Sequence, residues 1–120
     1  MAFLFEKLDV YQKSLSFAEE VRALCSSFPP GNYDVADQLR RAALSVPANI
    51  AEGNGRWHSA DKKHFFVVAR GSAYECVPLL DICRRSSLGE LQTINELRTK
   101  LEEVCRMLGG LVKRVEPQKS

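Results

Sequence analysis

Residues 94–115, INELRTKLEEVCRMLGGLVKRV, place Ile94, Leu97, Leu101, Val104, Leu108, Leu111 and Val115 at alternating steps of three and four. That spacing keeps every apolar side chain on one side of a helix with 3.6 residues per turn. Between them, Glu96 to Lys100 and Glu102 to Arg106 stand four apart with the acid first, an order that predicts ion pairs along a solvated face. Gly109 and Gly110 interrupt good helix formers, and Pro117 ends the helix.

The same rhythm recurs upstream. Phe65, Ala69, Ser72, Cys76, Leu79 and Cys83 form the principal stripe of a third helix, capped by Ser59; Phe66, Ala73, Val77 and Leu80 form an adjacent stripe. More than half of this helix is apolar, so it is expected to be buried on two sides. A second helix runs through Ala36, Leu39, Ala43, Val46 and Ile50, with Asp34 or a neighbour as its cap. Pro47 lacks the amide hydrogen that would reach the Ala43 carbonyl, so this helix either bends there or ends near Ser45 and restarts; the unbroken stripe favours a bend. Pro78 poses the same question in the third helix. The first helix starts at Asp9 as its cap, carries Val10, Ser14, Phe17, Val21, Leu24 and Phe28, and stops before Pro29-Pro30-Gly31-Asn32.

Four such stripes joined by short turns predict an all-α chain, an antiparallel up-down-up-down four-helix bundle. The 120 residues suit one domain. Residues 1–116 are assigned to it, and 117–120 are expected to form a frayed tail. No uncharged apolar run reaches membrane-spanning length, and the first twenty residues are studded with charge, so a cytoplasmic protein with no membrane partner is expected.

Catalytic templates fail for want of partners. His58 and His64 are the only histidines and fall on different faces of one helix. No HExxH, P-loop or GxSxG motif occurs, nor the Glu-x-x-His pairs of a bundle-core di-metal site. No catalytic residue, metal or cofactor is therefore expected, and the chain is read as a non-enzyme. The four cysteines, Cys25, Cys76, Cys83 and Cys105, form no CxxC pair and are read as reduced, buried thiols.

The charge is uneven. Residues 1–60 hold six Lys and Arg against seven acids, whereas residues 61–120 hold eleven against eight. Lys62, Lys63, Arg70, Arg84, Arg85, Arg98, Lys113 and Arg114, joined by Arg40, Arg41 and Arg56, are candidate contacts for the phosphates of RNA or DNA. Trp57, beside Arg56, offers a ring that either stacks on a base or packs against protein. Helices one and three have wider apolar faces than one seam needs, and small residues gather at Ala42-Ala43, Ala48, Ala51 and Gly71-Ser72-Ala73. This excess predicts a lateral surface for self-association.

At residues 38–56, QLRRAALSVPANIAEGNGR, the chain resembles the four-helix-bundle family of proteins encoded in 23S rRNA intervening sequences. The accessory variability determinant of diversity-generating retroelements belongs to the same group. The likeness extends back through Leu8-Asp9-Val10-Tyr11 and Phe28-Pro29 and forward through Phe65, Ala69, Arg70-Gly71-Ser72 and Glu75. It implies an antiparallel bundle assembled as a homopentameric barrel, without catalysis, and, through the retroelement member, RNA and a reverse transcriptase as partners. Within the motif, Pro47, Asn49, Glu52 and Gly53, together with Ser72, are read as structural. Asn49 and Glu52 would satisfy polar groups exposed at the Pro47 bend, and Glu52 would pair with Arg56. The competing reading is a polar site shared between subunits. The expected function is an oligomeric nucleic-acid-binding accessory protein; the alternative is a protein-interaction scaffold that binds no nucleic acid.

Overall fold

The computed structural model describes residues 8–115, and among them all regular structure is helical. The four helices are α1 (Asp9–Ser26), α2 (Tyr33–Asn54), α3 (Ser59–Arg85) and α4 (Leu91–Arg114). Each packs on the next and α1 closes against α4, while the diagonal pairs make no close backbone approach. Such a ring of contacts is a four-helix bundle whose core lies along its axis. The expected tail at 117–120 lies outside the described residues.

The α4 stripe is buried as its spacing predicts, from Ile94 to Leu111, with Val115 half-buried at its end. Both helices that contain prolines run through them without a break. Pro78 is exposed, so water can serve the Tyr74 carbonyl that loses its amide partner; Pro47 packs inside the bundle.

Several local expectations are corrected. Leu8, Asn32 and His58 occupy the cap positions of α1, α2 and α3, and none makes a side-chain cap bond. Asp9, Asp34 and Ser59 instead lie within the first turns, where the two carboxylates face the positive end of the helix dipole. α1 ends at Ser26, before Phe28. The buried face of α3 centres on Phe66, Ala69, Ala73, Cys76, Leu80 and Cys83, and Phe65 and Ser72 stand half-buried beside it. Ala42, Ala43 and Ala73 are buried within the bundle, so they serve packing inside the monomer rather than a lateral surface. Lys100 turns away from Glu96 to Glu20 of α1 (2.8 Å), and Glu96 accepts from Gln92.

Cys25, Cys76 and Cys83 are buried, as expected; Cys105 is only half-buried. Burial pushes the Cys76 thiol up from its usual 9.0 to about 12, with the nearby Glu75 charge adding to the shift. The unfolded chain gives up this proton at lower pH than the folded one, so its contribution to stability is intact below pH 9 and is lost as pH rises towards 12. A Cys76→Ala variant is therefore expected to lose less of its urea midpoint between pH 9 and 11 than the parent chain loses. Parallel slopes would contradict it.

Candidate nucleic-acid interface

α3 presents Lys63, Val67 and Arg70 at steps of four and three, and α4 presents Arg106, Gly109, Gly110 and Lys113 opposite them. With Val112 these residues line a groove of about 560 Å³. Four of its eight lining residues are cationic and none is acidic. Nothing lies within 4 Å of where a Cβ would stand on Gly109 or Gly110, so the α4 wall is open backbone at the centre of the groove. Arg70, Arg106 and Lys113 form no ion pair among the described residues, which leaves their donors to an outside anion.

The other candidate cations are placed elsewhere. Arg98 hydrogen-bonds Asp81, and Arg84 stands 3.6 Å from the same carboxylate. Arg41 lies 3.6 Å from Asp37 on α2. Arg40 borders a cleft against the Pro29–Tyr33 turn, while Arg85 and Arg114 are exposed at helix ends. Lys62 donates to the Asn54 carbonyl at 3.0 Å, tying the start of α3 to the end of α2. Only Lys63, Arg70 and Lys113 of the eleven thus converge, and the fourth member of the groove, Arg106, is one that sequence reasoning assigned to Glu102. Trp57 is 94% exposed, so it does not pack on its own bundle.

The motif residues brace the α2–α3 side of this wall. Asn49 donates its side-chain amide to the Ser45 carbonyl (2.8 Å) and to the Ser45 hydroxyl (3.0 Å), and that hydroxyl meets the Ser72 hydroxyl at 2.8 Å. The bonds thus serve Ser45 rather than the Ala43 carbonyl, whose usual amide donor Pro47 removes. Glu52 binds Arg56, whose guanidinium lies 4.6 Å from the centre of the Phe65 ring. A Cβ on Gly53 would come within 2.7 Å of the Phe66 ring, so glycine there lets α3 seat against α2. Asn49→Ala removes both bonds made by its side-chain amide and is expected to cost about 1–2 kcal/mol. A thermal melt checks this, and an unchanged midpoint would deny the network a structural role.

Among the described residues no three His, Cys, Asp or Glu side chains stand together as metal ligands. Burial raises the pKa of all four thiols, which disfavours the nucleophilic thiolate. No described helix is long and apolar enough to cross a membrane.

A family model described as 23S rRNA-intervening sequence protein matches residues 6–110. Among solved structures, the chain is similar to a protein of unknown function from the S23 ribosomal protein family of Bacteroides thetaiotaomicron. The two share 23% identity and a TM-score of 0.80, over 87% of this chain and 98% of that one. At that identity the likeness shows a shared fold. No curated protein matches the chain.

Proposed function

The chain belongs to the 23S rRNA-intervening sequence protein family, and from that premise we propose that it is a non-enzymatic, oligomeric accessory protein that binds RNA or DNA through its phosphates. The observation that carries this reading is the α3–α4 groove, where Lys63, Arg70, Arg106 and Lys113 line one cleft without a single acid among them. A formal charge of +2 per chain is small, but five copies would sum to about +10 and present five such grooves together.

In this reading the helices run up-down-up-down and antiparallel, as the short turns at 27–32, 55–58 and 86–90 favour. Five copies assemble laterally as a barrel. The surface best suited to that contact is the outer stripe of α3, where Val68, Gly71, Pro78 and Ile82 are all exposed. Gly71 has nothing within 4 Å of its Cβ position and lets a neighbouring backbone come close. The protein works in the cytoplasm, and residues 1–116 act as one domain. A reverse transcriptase is the partner that the resemblance to the retroelement member suggests.

The scaffold reading draws on the same α3 stripe, and salt separates the two. If Arg70, Arg106 and Lys113 of each chain each meet one phosphate, affinity for a labelled oligonucleotide should fall roughly 40-fold between about 50 and 200 mM salt. Light scattering should give a mass near five times 13.5 kDa. An oligomer that leaves RNA and DNA unbound at about 50 mM salt would make it a scaffold.

A further inference from the structure

The basic groove does not end at Arg106. Arg106 and Gly109 also border a second pocket, about 450 Å³, whose wall is Tyr74, Val77, Leu101 and Cys105. The two cavities share Arg106 and Gly109, so they adjoin end to end as a trough along α3 and α4. Their chemistry differs. The first part is cationic; in the second, Leu101 is buried, Val77 and Cys105 are half-buried, and the phenol ring of Tyr74, 58% exposed, stands at the mouth. Arg98, at the far edge of this pocket, is bonded to Asp81, so the apolar part carries no uncommitted cation except Arg106 at the junction.

We propose that this apolar pocket receives one unpaired base of single-stranded RNA or DNA, stacked on Tyr74, while the neighbouring phosphates lie on Arg70, Arg106 and Lys113. The proposal rests on the nucleic-acid reading above and says which form of nucleic acid is bound. An aromatic face beside a cationic track is how single strands are held without sequence readout, because every base has a π-face and every step has a phosphate. A duplex keeps its bases stacked inside and offers only phosphates, so it can use the cationic half of the trough but not the apolar half. From Arg70 to Tyr74 the helix rises roughly 6 Å, about one step of an extended strand. Glu102 at the rim accepts a hydrogen bond from a base that bears an amino group and repels a phosphate, which keeps the backbone on the Arg106 side.

Anisotropy titration of the full chain at about 50 mM salt, with a twelve-nucleotide single strand and the matching duplex, tests this. The single strand should bind roughly tenfold more tightly than the duplex. Tyr74→Ala should remove about that tenfold for the single strand and leave the duplex unchanged, and Tyr74→Phe, which keeps the ring, should behave as the parent. Equal affinities for the two forms, or a Tyr74→Ala chain that binds single strands as before, would overturn the inference and leave the nucleic-acid reading standing. Binding of neither form would overturn both. The assembly mass of Tyr74→Ala, measured alongside, should match the parent; a smaller mass would mean that the pocket holds a second copy of the chain, which overturns the inference as well.

Discussion

Arg106→Glu combined with Lys113→Glu is expected to weaken binding of RNA and DNA by at least about 100-fold at about 50 mM salt. Each cation that meets a phosphate contributes roughly one unit to the salt slope, so the slope should also fall by about two units. Reversal goes further than neutralisation, since it sets two carboxylates in a groove that has none. Both side chains are exposed and free of ion pairs among the described residues, so the fold should lose less than about 1 kcal/mol, most of it from the new negative charge in the last turn of α4. Arg41→Glu with Arg84→Glu is the matched control: the same change in formal charge at sites that already face Asp37 and Asp81. That pair should cost only a few-fold. If both double variants lose affinity alike, binding follows overall charge and the groove has no special part in it.

The contrast between the two pairs shows where sequence reasoning stops. The α4 stripe could be read because its periodicity depends only on the geometry of its own helix, and every residue of it from Ile94 to Leu111 is buried. The motif at 38–56 was legible in another way. Glu52 and Arg56 are one turn apart and meet as expected, and Ser72, named beside Asn49, is joined to it through Ser45. Convergence of cations from two helices was not legible. It depends on how far each helix is rotated about its own axis, and α3, apolar over more than half its circumference, leaves that rotation to its neighbours. Gly53 makes room for the Phe66 ring, and this seats Phe66 rather than Phe65 in the core. The same setting brings Lys63 and Arg70 to the α4 side. Arg106 was hidden by a local rule, its four-residue spacing from Glu102, just as Lys100 was assigned to Glu96 although it reaches Glu20 across the bundle.

Gly89→Ala is expected to be the most damaging small change to the fold, at about 2–4 kcal/mol, or a midpoint lower by roughly 10 °C. α3 ends in a turn where the Leu88 amide donates to the Cys83 carbonyl (2.8 Å) and the Ser87 amide to the Arg84 carbonyl (3.3 Å), with Ser87 in the left-handed region at φ 54°. This is the Schellman arrangement, which satisfies the last carbonyls of the helix and buries Leu88 as its apolar contact. Gly89 follows at φ +83°, where an L side chain costs roughly 1–2 kcal/mol. Its Cβ would also fall 2.3 Å from the Leu24 Cδ1 and 3.5 Å from the Phe28 ring, so the buried Leu24 side chain must shift to admit it. Ser87→Gly, which relieves the other left-handed residue, should stabilise by up to about 1 kcal/mol. Gly110→Ala, in a helix and with no atom within 4 Å of its Cβ position, should gain a similar amount. One of these exchanges is thus expected to destabilise and two to stabilise, and thermal melts of the three variants test them together. A Gly89→Ala midpoint within two or three degrees of the parent would mean that Leu24 yields freely and that the turn does not hold α4 in place. Arg70 lies roughly 24 Å along α3 from this turn, so any loss of binding by folded Gly89→Ala would mean that the altered turn has let α4, the groove's second wall, shift.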